Sequence, residues 1–218
     1  AIVGDVNSRA VAEHTLMLML AAARRTVAHH IASTTGQWNE RNRFDSTELD
    51  GKSLLLLGFG RIGRRVAELA KAFGMAVGAY DPFVTEEQMA PLGVSHAPDL
   101  ASALEAADYV SVHMPGGQGP LIGAAELAHM KPSAIIVNAA RGGIVNELAL
   151  DAALRARRLR AAARGARPGG HAGGRRRRAR IPEGGRLCAR AGAEPGRRGE
   201  RERGRDHRHS GDEHKTAH

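Results

Sequence analysis

Apolar positions along the chain fall into short runs separated by amphipathic stretches. Short apolar runs typical of strands buried on both faces occur at SLLLLG (53–58), MAVGAYD (75–81), GVSHA (93–97), DYVSVHMP (108–115) and SAIIVNAA (133–140). Between the runs, apolar side chains recur at helical spacing, which predicts helices over 62–73, 99–107, 124–130 and 146–156. Strands that alternate with helices predict an α/β fold, a doubly wound parallel sheet between two helical layers, over residues 49–154.

The residues before this region predict one long helix over 8–30, followed by a polar connection up to residue 48. The helix contains AVAEHTLMLMLAAARR, begins at the N-cap candidate Ser8, and is apolar around most of its circumference. Its longest apolar run, Leu16 to Ala23, is shorter than the ~20 residues that cross a bilayer, so we expect a buried helix. The chain begins with alanine, and we expect it to be part of a longer protein.

The composition changes abruptly after Leu154. Residues 155–218 hold nineteen arginines, one lysine, twelve glycines and seven carboxylates, a net charge of +13, whereas residues 1–154 carry −4. The large apolar residues of this tail are Leu159, Ile181 and Leu187. Because so few apolar side chains cannot offset a backbone ordering cost of ~1–2 kcal/mol per residue, we predict a disordered tail that holds no metal, apart from a few residues that prolong the preceding helix.

Three interpretations of the tail stay open. An Arg/Gly/Ala composition is typical of a GC-rich coding region translated out of frame. An arginine-rich segment could instead bind nucleic acid without specificity, through phosphates alone, because the tail has no aromatic side chains to stack on bases. It could also fold on binding some other partner. The single cysteine, Cys188, excludes an internal disulfide and fits a reducing, cytoplasmic compartment.

A glycine motif, GFGRIG, follows the first apolar run and opens an amphipathic helix. Gly58 permits a tight turn, Gly60 lets the backbone approach a pyrophosphate, and Gly63 lets the helix pack against the strand. The helix start offers free N–H groups to the phosphates. Asp81 closes the second strand and can accept hydrogen bonds from ribose hydroxyls, while its charge would repel a 2′-phosphate. The motif therefore predicts a Rossmann-type domain that binds NAD rather than NADP.

Several stretches together resemble the D-isomer-specific 2-hydroxyacid dehydrogenases, which include phosphoglycerate dehydrogenases and hydroxypyruvate or glyoxylate reductases. The stretches are NSRAVAEHTLMLMLAAARR, GQWN, ELDGKSLLLLGFGRIGRRVAELAKAFGMAVGAYDP, ADYVSVHMP and LIGAAELAHMKPSAIIVNAARGGIVNELAL. The resemblance implies hydride transfer between NAD(H) and a small 2-hydroxy or 2-keto acid. It also implies a homodimer through helix 8–30. The shortness of the apolar run predicts that the chain has no membrane partner.

The resemblance implies site residues as well. Arg141 would be the catalytic arginine, because its planar fork of donors suits the carboxylate and keto oxygen of the substrate. Met114 and Pro115 would line the adenine side, and Arg61 and Ile62 would donate backbone N–H groups to the pyrophosphate. The implied cofactor-binding set is Gly58, Gly60, Arg61, Ile62, Gly63, Asp81, Met114, Pro115, Ala139, Ala140 and Arg141. The family pattern makes His113 a structural strand-end residue.

The sequence departs from the family pattern after residue 154. In the family, a strand ending in an LDVF-like stretch follows, then a glutamate in an EP motif and a histidine in a PH motif; the histidine is the general acid–base and the glutamate orients it. Here residues 164–185 read RGARPGGHAGGRRRRARIPEGG. The usual acid after IV is replaced by Asn146. We therefore predict an NAD-binding domain whose turnover is impaired; the alternatives are a non-enzymatic NAD-binding remnant and a nucleic-acid-binding protein.

Overall fold

Six parallel strands form the central sheet of the computed structural model, which describes residues 7–43, 45–117, 119–156, 158–159 and 161–164. The strands are β1 (Ser53–Leu57), β2 (Ala76–Tyr80), β3 (Ser95–His96), β4 (Tyr109–Val112), β5 (Ile135–Asn138) and β6 (Ala161–Arg164). Their spatial order is β3-β2-β1-β4-β5-β6, and every neighbouring pair is parallel. This order confirms the predicted Rossmann-type sheet, with its reversal between β1 and β4.

Helices cover both faces of the sheet. They are α1 (Ser8–Ala23), α2 (Thr26–Thr34), α3 (Arg61–Ala72), α4 (Glu86–Met89), α5 (Leu100–Ala106), α6 (Ala124–His129) and α7 (Glu147–Arg155), with 3-10 segments at Trp38–Arg43 and Ala90–Leu92. The four helices predicted within the α/β region are confirmed with small shifts at their ends. In the part of the chain that the structure describes, no helix combines the length and apolarity that a bilayer crossing requires.

Buried side chains form two apolar layers, one on each face of the sheet. The first layer joins α1 and α3 to strand residues such as Leu54, Leu56 and Val137. The second joins α5, α6 and α7 to the alternate strand residues, such as Leu55 and Val110. Because successive strand residues face opposite sides, a strand covered on both faces needs an uninterrupted apolar run. This requirement explains why the apolar runs in the sequence predicted the positions of the central strands.

The prediction of a single helix over 8–30 is wrong, because the chain turns a corner between α1 and α2. At this corner Arg25 has a φ of 51°, in the left-handed region that non-glycine residues adopt at a cost. Its half-buried guanidinium forms an ion pair with Asp45 and lies 3.5 Å from Glu40. These carboxylates come from the following connection, so a tertiary contact stabilises a corner that no local glycine or proline marks. Ser8 is the first residue of α1 rather than its N-cap.

Strand β6 corrects part of the predicted disordered tail. Residues 161–164 pair in parallel with β5, with Ala161 opposite Ile135 and Arg164 opposite Asn138. The prediction counted large apolar side chains, whereas an edge strand can be held through main-chain hydrogen bonds to its neighbour. The buried side chain of Leu159 anchors the chain just before the strand. The α/β unit therefore extends to residue 164, and residues 165–218, predicted to be a disordered basic segment, lie outside the described residues.

Candidate nucleotide-binding site

The carboxyl ends of β1, β2, β4 and β5 meet at one edge of the sheet. The strand order reverses there between β1 and β4, which is the place where open α/β sheets bind ligands. The segments that leave these strands contain all of the predicted site residues: 58–63 after β1, Asp81 after β2, 114–115 after β4 and 139–141 after β5. The structure therefore brings the predicted site residues together at a single edge.

The turn after β1 requires glycine at its first position. Gly58 has a φ of +98°, which side-chain-bearing residues rarely adopt. A Cβ atom on Gly58 would also lie 2.9 Å from the carbonyl carbon of His113 and the nitrogen of Met114. The N–H of Gly58 donates to the oxygen of Tyr80 at 2.9 Å. The turn is thus held between β2 and β4, with no room for a side chain.

The start of α3 is packed closely on its strand side and open on its other side. A Cβ atom on Gly63 would come within 2.3 Å of the Gly58 oxygen, so the helix can approach the turn only with glycine there. A Cβ atom on Gly60, the N-cap residue, would meet no atom within 4 Å. Arg61 is exposed and Ile62 packs on the α1–α3 layer. The first-turn amides of a helix lack intrahelical acceptors and carry partial positive charge, so this open side suits an anion.

Asp81 braces the glycine turn from the end of β2. Its Oδ2 atom accepts a hydrogen bond from the N–H of Phe59 at 2.7 Å, and its Oδ1 atom accepts one from Phe83 at 2.9 Å. Each carboxylate oxygen can accept a further hydrogen bond, so the carboxylate can still bind hydroxyl groups. The sequence predicted the ligand-binding role for Asp81 but not this bracing contact with Phe59, which lies far from it in the chain.

Arg141 lies exposed in the turn that follows β5. The side chain of Asn138 shapes that turn: its Nδ2 atom donates to the Arg141 oxygen at 3.1 Å, and its Oδ1 atom accepts from Ala140 at 3.1 Å. A Cβ atom on Gly116 would lie 4.0 Å from the Cβ atom of Arg141, so the loop after β4 passes beside the arginine. Asn138 was missed in the sequence analysis; an amide residue at the end of an apolar run is the signal that could have revealed it.

The loops after β4 and β5 are connected to each other beyond the site. Ile122 and Val145 form an isolated parallel bridge, and the N–H of Asn146 donates to the Ile122 oxygen at 2.8 Å. Nearer the strand, Met114 is half-buried against the α5–α7 layer, while Pro115 is exposed. Ala139 and Ala140 are half-buried between these loops. The bridge therefore restrains both loops that flank Arg141.

His113 lies between the turn after β1 and the turn after β5. Its Nε2 atom lies 2.8 Å from the hydroxyl oxygen of Ser111. Its Nδ1 atom is buried and has no hydrogen-bond partner among the residues that the structure describes. Burial lowers the pKa of His113 to about 4, so the ring is neutral at neutral pH. In the same described residues no cluster of three or more His, Cys, Asp or Glu side chains could hold a metal ion.

Comparison with known proteins agrees with this geometry. The family model described as "D-isomer specific 2-hydroxyacid dehydrogenase, NAD binding domain" matches residues 16–164. The D-3-phosphoglycerate dehydrogenase of Methanocaldococcus jannaschii is 43% identical over 161 residues, which are 73% of this chain but 30% of that enzyme. The chain thus spans about a third of the length of the curated relatives that it matches.

Solved structures share the fold as well. The D-lactate dehydrogenase with NAD+ from Lactobacillus jensenii superposes with a TM-score of 0.67 at 31% identity, covering 74% of this chain and 49% of that one. The TT0316 protein from Thermus thermophilus gives a TM-score of 0.67 at 36% identity, covering 74% and 51%. In each structure the matched part is about half of the other chain.

Proposed function

The chain belongs to the D-isomer-specific 2-hydroxyacid dehydrogenases, whose NAD-binding domain it carries, and from this premise we propose how its residues hold NAD and what chemistry remains to them. The observation that supports the proposal most strongly is the convergence of three features on one edge of the sheet. They are the Gly58 turn, the open start of α3 and the carboxylate of Asp81. Together they offer a turn without side chains, amide donors for phosphates and acceptors for ribose hydroxyls.

The selectivity for NAD over NADP rests on how Asp81 is held. Hydrogen bonds from Phe59 and Phe83 fix the carboxylate, so it cannot swing away from a 2′-phosphate. The side chain of Arg64 extends over Phe59: its Nε atom donates to the Phe59 oxygen at 3.3 Å, and its guanidinium lies 5.5 Å from the centre of the Phe59 ring. A 2′-phosphate would therefore meet a fixed negative charge.

We propose that the substrate is a small 2-hydroxy or 2-keto acid and that Arg141 binds it. A nicotinamide bound at this edge would supply or accept the hydride. Arg141 is exposed at the same edge as the cofactor features, and its turn is held by Asn138, so its guanidinium can present two parallel donors to a carboxylate. The same donors would polarise the keto oxygen.

We propose that turnover by this sequence is impaired. Strand β6 follows α7, but residues 165–218 contain a single EP pair, Glu194-Pro195, and no PH pair that would supply the acid–base histidine of the family. Loss of a general acid–base lowers the rate by about 10²–10⁴-fold. NADH oxidation with glyoxylate or hydroxypyruvate should therefore not exceed the background rate. A rate well above background would contradict this part of the proposal.

Binding of NAD can be tested without turnover. Titration followed by NADH fluorescence should give saturable binding, and Asp81→Ala should weaken the affinity by about 10–100-fold, because hydrogen bonds to a charged group are lost. Asp151→Ala is the matched control, since that carboxylate is exposed on α7 and pairs with Arg155 at 2.6 Å. Equal affinities for the Asp81 variant and the wild type would refute the proposed site.

We also propose a homodimer formed through the segment of α1 and α2. Large apolar side chains are exposed along this segment and just after it, including Met17, Ile31 and Trp38, and exposed apolar area of this kind marks protein interfaces. Light scattering after size exclusion should give twice the chain mass. Ile31→Glu should shift the mass to that of one chain, whereas Phe83→Glu, a change at an exposed apolar side chain that follows β2, should not.

A further inference from the structure

The backbone of His113 lies between the two turns that form the proposed cofactor site. In the strand register β4 is flanked by Leu57 at the end of β1 and by Asn138 at the end of β5. The residues that follow these positions, Gly58 and Ala139, therefore flank His113. The N–H of His113 donates to the Leu57 oxygen at 2.8 Å. One residue is thus adjacent both to the phosphate turn and to the turn that carries Arg141.

The side chain of His113 faces the layer of α1 and α3. Its hydrogen bond to the fully buried Ser111, two residues earlier, places both side chains on one face of β4, and Tyr109 on that face belongs to the α1–α3 layer. Met114 faces the opposite layer. The adenine-side residue and the histidine are therefore neighbours in sequence but lie on opposite sides of the sheet.

The hydrogen bonding of this imidazole is incomplete. The Nε2 atom is paired with Ser111, but the Nδ1 atom is buried and unpartnered among the described residues. A buried polar atom without a hydrogen-bond partner lowers the stability of the folded state. The unpaired Nδ1 atom therefore makes the imidazole less favourable here than an apolar side chain of similar size. Exceptions of this kind are concentrated at functional sites.

The backbone of His113 is held at the phosphate turn, whereas the loop that it begins reaches Arg141. The carbonyl group of His113 packs directly on Gly58, where even a Cβ atom has no room. Two residues beyond Met114, Gly116 lies beside the Cβ atom of Arg141. The hydrogen bond to Ser111 is the side-chain contact that fixes the ring, and through it the start of this loop.

We propose that His113 is a positioning residue for the nicotinamide half of the cofactor, with Ser111 as the group that orients it. This inference rests on the proposed function. Asp81 and the start of α3 would hold the adenosine half and the pyrophosphate, and the hydrogen bond of the His113 side chain goes to Ser111 rather than to either of them. The nicotinamide half would lie toward Ala139 and Arg141, in the turn that flanks His113. Loss of the Ser111–His113 hydrogen bond should therefore weaken NADH binding selectively.

Calorimetric titration of the full chain with NADH and with ADP-ribose separates this role from a general effect on folding. His113→Phe should weaken NADH binding by about tenfold, the effect of one lost buried hydrogen bond, and change ADP-ribose binding by less than about twofold. Ser111→Ala should act in the same direction. His113→Gln should restore most of the NADH affinity, because its amide can reach Ser111. Met114→Ala is the matched control and should weaken both ligands alike.

Equal weakening of NADH and ADP-ribose by His113→Phe, or no weakening of either, would overturn the proposal. If His113→Phe does not fold, the Ser111→Ala variant provides the test. Its loss of NADH affinity is compared with its loss of ADP-ribose affinity in the same way. Failure of the wild-type chain to bind either ligand would refute the proposed function itself, and the positioning role with it. Binding of both ligands by the wild type, with equal losses in the variants, would refute the positioning role alone.

Discussion

The two ends of strand β4 carry polar side chains in opposite situations. At the amino end, the Oδ2 atom of Asp108 accepts hydrogen bonds from the N–H and the hydroxyl of Ser53, both at 3.0 Å. Its Oδ1 atom accepts one from Lys131 at 2.9 Å. At the carboxyl end, His113 has a single side-chain partner, Ser111, and one buried nitrogen unpaired within the described residues.

The pKa values at the two ends are lowered for different reasons. Burial alone would raise the pKa of Asp108, but the hydrogen bonds from Ser53 and Lys131 outweigh it, and the pKa lies below its ordinary value. The pKa of His113 is lowered by burial, without a compensating partner. Polar groups at the amino end therefore clamp β1, β4 and β5 together, whereas those at the carboxyl end are left incompletely paired where a ligand is expected. We interpret the first end as structural and the second as functional.

The largest effects that test the division between a structural amino end and a functional carboxyl end are expected at two glycines, Gly60 and Gly63, near the carboxyl end of the sheet. Gly63→Ala places a Cβ atom 2.3 Å from the Gly58 oxygen and should lower the free energy of unfolding by about 3 kcal/mol or more. Gly60→Ala meets no atom within 4 Å and should change stability by less than about 1 kcal/mol, yet weaken NADH binding by obstructing the phosphates. Urea denaturation and NADH titration measure the two effects. Normal NADH affinity in Gly60→Ala would contradict the phosphate assignment.

A second test follows the pH dependence of stability. Between about pH 6.5 and pH 4 the unfolded chain protonates His113 while the folded chain, with its pKa lowered to about 4, does not. Stability should therefore fall as the pH decreases through this window, by on the order of 3 kcal/mol. In His113→Phe this part of the decline should disappear. A curve of unchanged shape in the variant would show that His113 is not buried in its neutral form.

The sequence predicted the carboxyl end more completely than the amino end. Gly58, Gly63 and Asp81 follow a local motif whose spacing reflects a fixed chemical task, so they could be placed without coordinates. The Ser53–Asp108–Lys131 contacts join residues far apart in the chain, and no local pattern marks them. The corner at Arg25 was missed for the same reason, because its partners come from the later connection.

Removal of the carboxylate at the amino end should cost stability without a direct effect on the site. Asp108→Ala leaves the N–H of Ser53 and the ammonium group of Lys131 without their acceptor and should lower the free energy of unfolding by about 2 kcal/mol. NADH affinity should stay within about twofold of the wild type under conditions where the variant is folded. A large loss of affinity would mean that the two ends of β4 are coupled and that the proposed division is wrong.

The smallest expected effect concerns Asn146, where the family pattern has an acid. Its Oδ1 atom accepts hydrogen bonds from Leu148 and Ala149, both at 3.1 Å, so it is the N-cap of α7. Asn146→Ala should lower the free energy of unfolding by about 1 kcal/mol, while Asn146→Asp keeps the cap, adds negative charge at a helix start and should be neutral or slightly stabilising. NADH affinity should be unchanged in both variants, because this cap lies beyond the Ile122–Val145 bridge rather than at the phosphate turn. If Asn146→Ala weakened NADH binding and Asn146→Asp did not, the functional end of the sheet would extend as far as α7. The asparagine in place of the family's acid would then matter for cofactor binding, and not only as an equally good helix cap.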